Sequence, residues 1–240
     1  MAQTTAPAFD STLGQVGQIA DASSRTIDSF AAEGIVPFGV AVQRGTDPDK
    51  QAKVFSDGSL LGVSVFSHTE ESGQYEDKSS VSVMTHGRVI MSASGIAAIA
   101  GDPAYAVPGG AVSSSPNTAT ISFDADFVAS NTIDATINGE AITQITYGTS
   151  HEATFDALVA EIEDTIENDL GLERFAVTGD AVARVITIIA EEGITVTGAA
   201  VTNGASQATT TVAAVANTSL GGEMLTSGDA GSLVQVSVAL

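Results

Sequence analysis

The sequence predicts a mainly β protein in which an N-terminal arm leads into a β-sandwich or barrel-like domain closed by the C-terminal strand, with an inserted α+β domain. Short β-prone runs recur at roughly the 8 to 12 residue spacing of sandwiches and barrels, separated by Gly, Asp and Ser clusters. A single stretch carries sustained helical periodicity. The segment Gly231–Leu240 alternates strictly, with Val234, Val236, Val238 and Leu240 on one face, and a strand this regular needs a sheet to join.

Residues 1–33 are rich in Ala, Ser, Thr, Gln and Asp and hold neither period, which predicts an extended arm that gains order by packing on another surface. Its scattered apolar residues Phe9, Leu13, Val16, Ile19, Ile27 and Phe30 are the anchors such a surface would receive; a short helix over Leu13–Ala20 is the alternative. Residues 34–115 plus 217–240 form the predicted β-domain. Its first strand is Ile35-Val36-Pro37-Phe38-Gly39-Val40-Ala41-Val42, with a Pro that belongs at an edge or a strand start. Further strands are read at 60–66, 81–84, 89–91 and 104–107, and residues 112–116 read as a loop. The inserted domain, 116–216, opens with strands at 118–123 and 132–137. Asn138-Gly139 then predicts a type I′ hairpin into 141–147. Thr149 with Glu152 makes a capping box for a helix whose apolar face is Phe155, Leu158, Val159, Ile162, Ile166 and Leu170, stopped by Gly171. Strands at 175–177, 182–189, 194–201 and 209–215 complete it, and the final strand closing the first β-domain brings the two ends of the insertion close together.

The 240 residues are 43% hydrophobic and 15% charged, enough for a core without covalent staples. Absence of Cys excludes disulfides, Cys-ligated zinc and thiol catalysis. Against 29 Asp plus Glu stand only 8 Lys plus Arg, a formal charge of -21, and no Lys or Arg lies between Arg88 and Arg174. So few cations disfavour any nucleic-acid partner. The start lacks the basic and apolar regions of a secretory signal and no run of about 18 apolar residues occurs, so the reading is a soluble protein made in a cytoplasm, with no membrane partner.

No enzyme constellation emerges, and no catalytic, cofactor-binding or metal-ligating residue is predicted. His68, His86 and His151 are far apart and outside any HxH or HExxH spacing. Ser113-Ser114-Ser115 lacks the strand-turn-helix context of a nucleophile elbow. Asp47-Pro48-Asp49 and Asp124-Ala125-Asp126 do not continue into a calcium loop and read as turns. The helix carries Glu152, Asp156, Glu163, Asp164 and Glu167 with almost no compensating lysine, so a negative exterior is tolerated or useful.

Residues 35–42, Leu61-Gly62-Val63-Ser64-Val65, Val81-Ser82-Val83 with Gly87 and Val89-Ile90-Met91, Ala100-Gly101-Asp102-Pro103-Ala104-Tyr105 and the ending Gly228–Val236 resemble, in this order, the structural cement or head decoration proteins of tailed bacteriophages. The resemblance covers residues 34–115 and 217–240; residues 116–216 depart from it and look like small β-α-β modules of virion proteins and adhesins. It implies a non-enzymatic protein on the outer surface of a phage head, made in the host cytoplasm, with no cofactor. Its partners would be the major capsid protein and further copies of itself, as a dimer or trimer. The implied capsid and subunit interface is the arm with Phe9, Leu13, Val16, Ile19, Ile27 and Phe30, and the strand residues Ile35, Pro37 and Phe38. The alternative is a phage adhesin or tail-associated module that uses 116–216, exposed on the exterior, to recognise a host surface or glycan.

Overall fold

The computed structural model describes residues 9–10, 14–21, 24–70, 72–204 and 206–240. In chain order its strands of four or more residues are β1 (Thr26–Ala32), β2 (Ala41–Arg44), β3 (Gln51–Val54), β4 (Leu60–Ser64), β5 (Ser80–Ser92), β6 (Pro103–Ala106), β7 (Asn117–Phe123), β8 (Thr132–Ile137), β9 (Phe175–Asp180), β10 (Val185–Ala190), β11 (Val196–Thr202), β12 (Thr210–Ala216), β13 (Thr218–Glu223) and β14 (Leu233–Ala239). One α-helix, α1, spans His151–Asp164. The protein is thus mainly β, as the spacing of apolar runs predicts. The chain divides into two compact units: the residues up to Pro116 together with Asn217–Leu240, and Asn117–Ala216.

In the first unit β1, β3, β2, β4 and β5 hydrogen-bond in a closed ring, antiparallel except where β1 meets β3. The strand β5 is long enough to serve twice. Ser80–His86 pairs with β1, and His86–Ser92 pairs antiparallel with β14 from Ala239 to Leu233. Sequence pattern separates 81–84 from 89–91. The structure runs them as one strand, because Gly87 at φ 137° bends the backbone without interrupting the β14 ladder. On one side of β5, Val81 and Val83 join Val36, Phe38 and Tyr75; on the other, Met84, Val89 and Met91 join Val234, Val236, Val238 and Leu220. The first core is aromatic. Phe38 meets Phe66 and Tyr75 edge-on at 5.1 Å each, and the Tyr75 hydroxyl donates to the Val65 carbonyl at 2.7 Å. Burial pushes the Tyr75 phenol up from its ordinary value, so it stays a donor.

Two readings from sequence change here. The run 35–42 is not one strand: Val36–Pro37 pairs with Gln74–Tyr75, the chain turns at Gly39 (φ 64°), and β2 starts at Ala41. Pro37 has no N–H to extend a ladder, and Ser64 closes the kink by donating from Oγ to the Pro37 carbonyl at 2.7 Å and accepting from Val40 N at 3.1 Å. Residues 14–21 and 24–32, read as part of an arm, are bonded to the barrel. Gly17 N donates to Ile90 O at 2.7 Å, Phe66 N to Gly17 O at 2.7 Å and Ala20 N to Arg88 O at 2.9 Å, while β1 is a barrel stave. Gly14–Gln15 pairs with Phe9–Asp10 as short strands, so the alternative helix is not formed over the described part of 13–20. Gly17 lies backbone against backbone on Gly39, where a Cβ on either would collide.

In the second unit β9, β10, β7 and β12 form an antiparallel sheet in that order, and β8 pairs with β11 on one edge and with Glu140–Ala141 and Ile145–Thr146 on the other. Asn138 (φ 50°) and Gly139 (φ 91°) make the predicted turn. The strand expected after it breaks in two, because Ile142 leaves the edge for the core while its N–H donates to Ala135 O at 3.0 Å. The helix buries Phe155, Leu158 and Ile162, continues as a π-turn over Thr165–Asp169 that buries Ile166, and ends before Gly171 at φ 65°. Its cap is Ser150, one residue later than expected, with Oγ accepting from Ala153 N at 3.2 Å. The hydroxyl of Thr154 fixes this start by donating to Ser150 O at 2.7 Å and accepting from Gly148 N at 2.9 Å.

Deleting Leu233–Leu240 strips Val234, Val236 and Val238 from the core at roughly 1.5–3 kcal/mol each and leaves the flank of β5 unpaired, so calorimetry should find no cooperative melt of the barrel unit. Asn117–Ala216, prepared as a fragment, should melt cooperatively, and Ile162→Asp, which places a charge where the side chain is 0% exposed, should abolish that melt.

Candidate functional surface

The nine residues named from sequence as an interface separate once folded. Leu13 lies outside the described residues, and for Phe9 the backbone alone is described, paired with Gln15. Phe38 is 1% exposed and belongs to the aromatic core, so its side chain does not reach the surface. Strand parity is the cause: Val36 and Phe38 point inward, while Ile35 (55% exposed) and Pro37 stand in solvent. Val16 and Phe30 are half-buried against that core, and Ile19 is half-buried against the other. Ile27, near the start of β1, is 37% exposed. Ile27, Ile35 and Pro37 therefore remain as apolar groups available to a partner.

Other exposed apolar residues were not named from sequence as partner contacts: Ile99, Val128, Val182, Val215 and Leu240, the last expected on the buried face of the final strand but 52% exposed. Val182 is 91% exposed at the tip of the β9–β10 loop, where Asp180 Oδ1 accepts from Ala183 N at 2.8 Å and Arg184 holds φ 58°. A β-hairpin loop with an apolar tip is visible in the sequence only once both flanking strands are placed.

Beside this loop is an open recess of about 720 Å³ lined by Asp126, His151, Glu152, Asp156, Asp180 and Arg184 among others. It gathers residues that the sequence disperses, and Asp126, His151, Asp180 and Arg184 among them are engaged by hydrogen bonds within the protein. His151 Nδ1 accepts from Phe127 N at 2.9 Å and Nε2 faces Ala181 O at 3.1 Å, which puts the ring proton on Nε2 and leaves no free base. Arg184 Nε donates to Asp126 Oδ1 at 2.5 Å, and this bond, followed by the guanidinium charge, holds the Asp126 carboxyl below the usual carboxylate range. Asp124 is lowered in the same way by the hydroxyl and N–H of Thr209, and Glu33 by the Thr46 N–H. These carboxylates tie loops together, in keeping with the turn chemistry expected of Asp124-Ala125-Asp126. Among the described residues no group of three or more His, Cys, Asp and Glu is placed to hold a metal ion, and no helix is long and apolar enough to cross a membrane.

The model of one protein family, described as Structural cement protein (E217 gp24/Pam3 gp6), matches residues 3–160. The match covers the N-terminal part of the barrel unit and continues past Pro116 through β7, β8 and most of α1, whereas β14 lies beyond it. The resemblance read from sequence began at residue 34, stopped at 115 and resumed at 217; the matched stretch starts earlier and crosses the proposed boundary. No curated protein matches the chain.

Because a carboxylate with a lowered folded pKa stabilises the fold above its unfolded pKa, acidification through the folded value removes that contribution. NMR titration of Asp126 should give a midpoint below about 3.9, and Arg184→Gln should raise it toward that value and flatten the acid loss of stability of the second unit.

Proposed function

The chain belongs to the phage structural cement protein family, and from that premise we propose a non-enzymatic decoration protein that binds the outer surface of the phage head and stabilises it by bridging major capsid protein subunits. The observation that carries this reading is the alternation at residues 35–38. Val36 and Phe38 fill the barrel core, while Ile35 and Pro37 offer apolar area to solvent in the first of the segments that carry the resemblance. A neighbouring protein surface that covers them gains on the order of 25 cal/mol per Å² of apolar area removed from water. Asn117–Ala216 would face outward from the shell. A protein outside a DNA-filled shell needs no affinity for DNA, which a charge of -21 disfavours, and a chain without Cys suits assembly in the reducing host cytoplasm. In this reading the working form is a homo-oligomer, dimer or trimer.

A second reading, a host-recognition module, draws on Val182 at its loop tip. Its weakness is the absence of a stacking platform for sugars: Phe123, Phe127 and Phe155 are buried, and Tyr147 and Phe175 are packed against the same core. Binding of an Asn117–Ala216 fragment on a glycan array would favour it.

Purified virions should contain the protein in hundreds of copies by quantitative mass spectrometry. The double variant Ile35→Asp, Pro37→Asp should co-sediment with emptied heads at least about tenfold more weakly, a loss of roughly 1.4 kcal/mol, with its melting temperature unchanged. Wild-type affinity in that variant would move the interface elsewhere.

A further inference from the structure

The sheet β9-β10-β7-β12 has two faces of different character. Alternate residues Ala119, Ile121, Phe123, Ile186, Ile188 and Ala190 enter the core with α1. The opposite face is set by cross-strand register. One row runs Ile189–Thr118–Val215 and the next Thr187–Thr120–Ala213, half-buried on β10 and β7 and exposed on β12, where Val215 is 44% accessible. No charged residue occurs anywhere in β7, β10 or β12, and the sequence between Glu192 and Glu223 contains none. In a chain with 29 acidic residues and a charge of -21, three adjacent strands without a charge form a local exception.

The same sheet treats its two edges differently. The β9 edge ends in Asp180 and is preceded by Glu173 and Arg174. The β12 edge has neither charge, Pro nor bulge: its register with β7 is unbroken over seven residues, and Ala213–Ala216 are exposed. Charged groups and Pro on an outer strand are the usual guards against association, and this strand lacks them. At its other end Thr210 Oγ1 donates to Ala199 O, so the start of β12 leans on β11 and the uncovered part is its second half.

We propose that this uncharged outer face, centred on Thr120, Ala213 and Val215, is the surface on which a second copy of the chain packs, face to face about a twofold axis. The reason is electrostatic. Two copies with a charge of -21 repel wherever their acidic skins meet, and like charges brought together in an interface oppose association. Contact is least opposed where both partners are neutral, and a twofold axis lays the same neutral patch on itself. Threonine, valine, isoleucine and alanine on a pleated surface present methyl groups that pack without leaving a buried charge. Three strands about 4.8 Å apart and six residues at about 3.3 Å give roughly 300 Å² of face, below the about 800 Å² per partner of a standard stable complex. The contact is therefore weak in dilute solution and takes effect where copies are concentrated. This inference rests on the homo-oligomeric part of the proposed function and not on shell attachment.

Sedimentation velocity of the full chain, run up to about 1 mM, tests it. Self-association should appear with rising concentration and strengthen from about 0.01 M to 0.5 M salt, as screening relieves repulsion outside the patch. Ala213→Glu and Val215→Glu, both at exposed positions, should each weaken it at least about tenfold with an unchanged circular dichroism spectrum and melting temperature. Thr178→Glu, on the β9 side of the same face, should weaken it less. A wild-type chain that stays monomeric throughout, or association indifferent to both glutamates, overturns the proposal. Co-sedimentation with emptied heads, measured on the same variants, reports separately on shell binding, so that failure of one reading leaves the other standing.

Discussion

The antiparallel ladder between β14 and β5 is the constraint on which the rest of the barrel unit depends. It joins Leu233–Ala239 to His86–Ser92, so whatever lies between must leave the barrel and return to it. It also sets both faces of β5. Seven consecutive pairs run along the second half of the strand, where Val89 and Met91 join Val234, Val236 and Val238 in one core, while its first half pairs into the ring with β1 and β4. The return path is narrow: Asn217 N donates to Pro116 O at 2.8 Å, and within the second unit Asn117 pairs with Ala216. Outgoing and returning chain thus run side by side.

Legibility in the sequence follows from whether a side chain or a backbone bond carries the structure. The strand β14, the Asn138-Gly139 turn and the buried stripe Phe155, Leu158, Ile162 and Ile166 announce themselves because burial imposes a period on side chains. The strand β1 does not. Thr26–Ser29 are exposed, and what makes them a barrel stave is the ladder to β5, which any sequence can form. The same holds for residues 14–20, held by backbone bonds to Ile90, Arg88 and Phe66, and for the contact of Gly17 on Gly39, where the signal is the absence of a side chain. Parity explains the interface residues. A run such as Ile35-Val36-Pro37-Phe38 is apolar throughout, and only the pairing of Val36 with Tyr75 decides that Phe38 turns inward while Ile35 and Pro37 turn out. The uncharged sheet face lies further still from view, since its three strands are separated by about sixty and twenty residues in sequence and become one surface through topology alone.

Charge organises what the fold leaves outside. Lys50, Lys53, Lys78, Arg88, Arg174 and Arg184 each lie within reach of a carboxylate, so six of the eight cations are paired locally and the net charge of the skin is negative. Exposed pairs of this kind add little to stability, with a median of about 0–1 kcal/mol. Their effect is on association: with each of these cations tied to a neighbour, little positive charge remains to attract the acidic skin of another copy.

A strongly acidic exterior restricts partners by exclusion. Specificity is a difference of affinities, and repulsion from wrong partners widens that difference as much as attraction to the right one. On such a surface the neutral areas are the places where contact costs least. Two stand out: Ile35 and Pro37 on the barrel unit, and the outer face of β10, β7 and β12 on the other. They differ in the work they can do. The first is a small apolar patch beside an aromatic core, suited to seating on a preformed surface; the second is a neutral sheet face that a twofold axis can lay on its own copy. Under the proposed function, repulsion between acidic copies keeps the free protein dispersed at low salt, and attachment to a lattice holds copies close enough for the weaker neutral contact to form. The order of events then follows from magnitudes: seating on the shell comes first, and lateral contact between copies follows only where the lattice has already overcome their mutual repulsion.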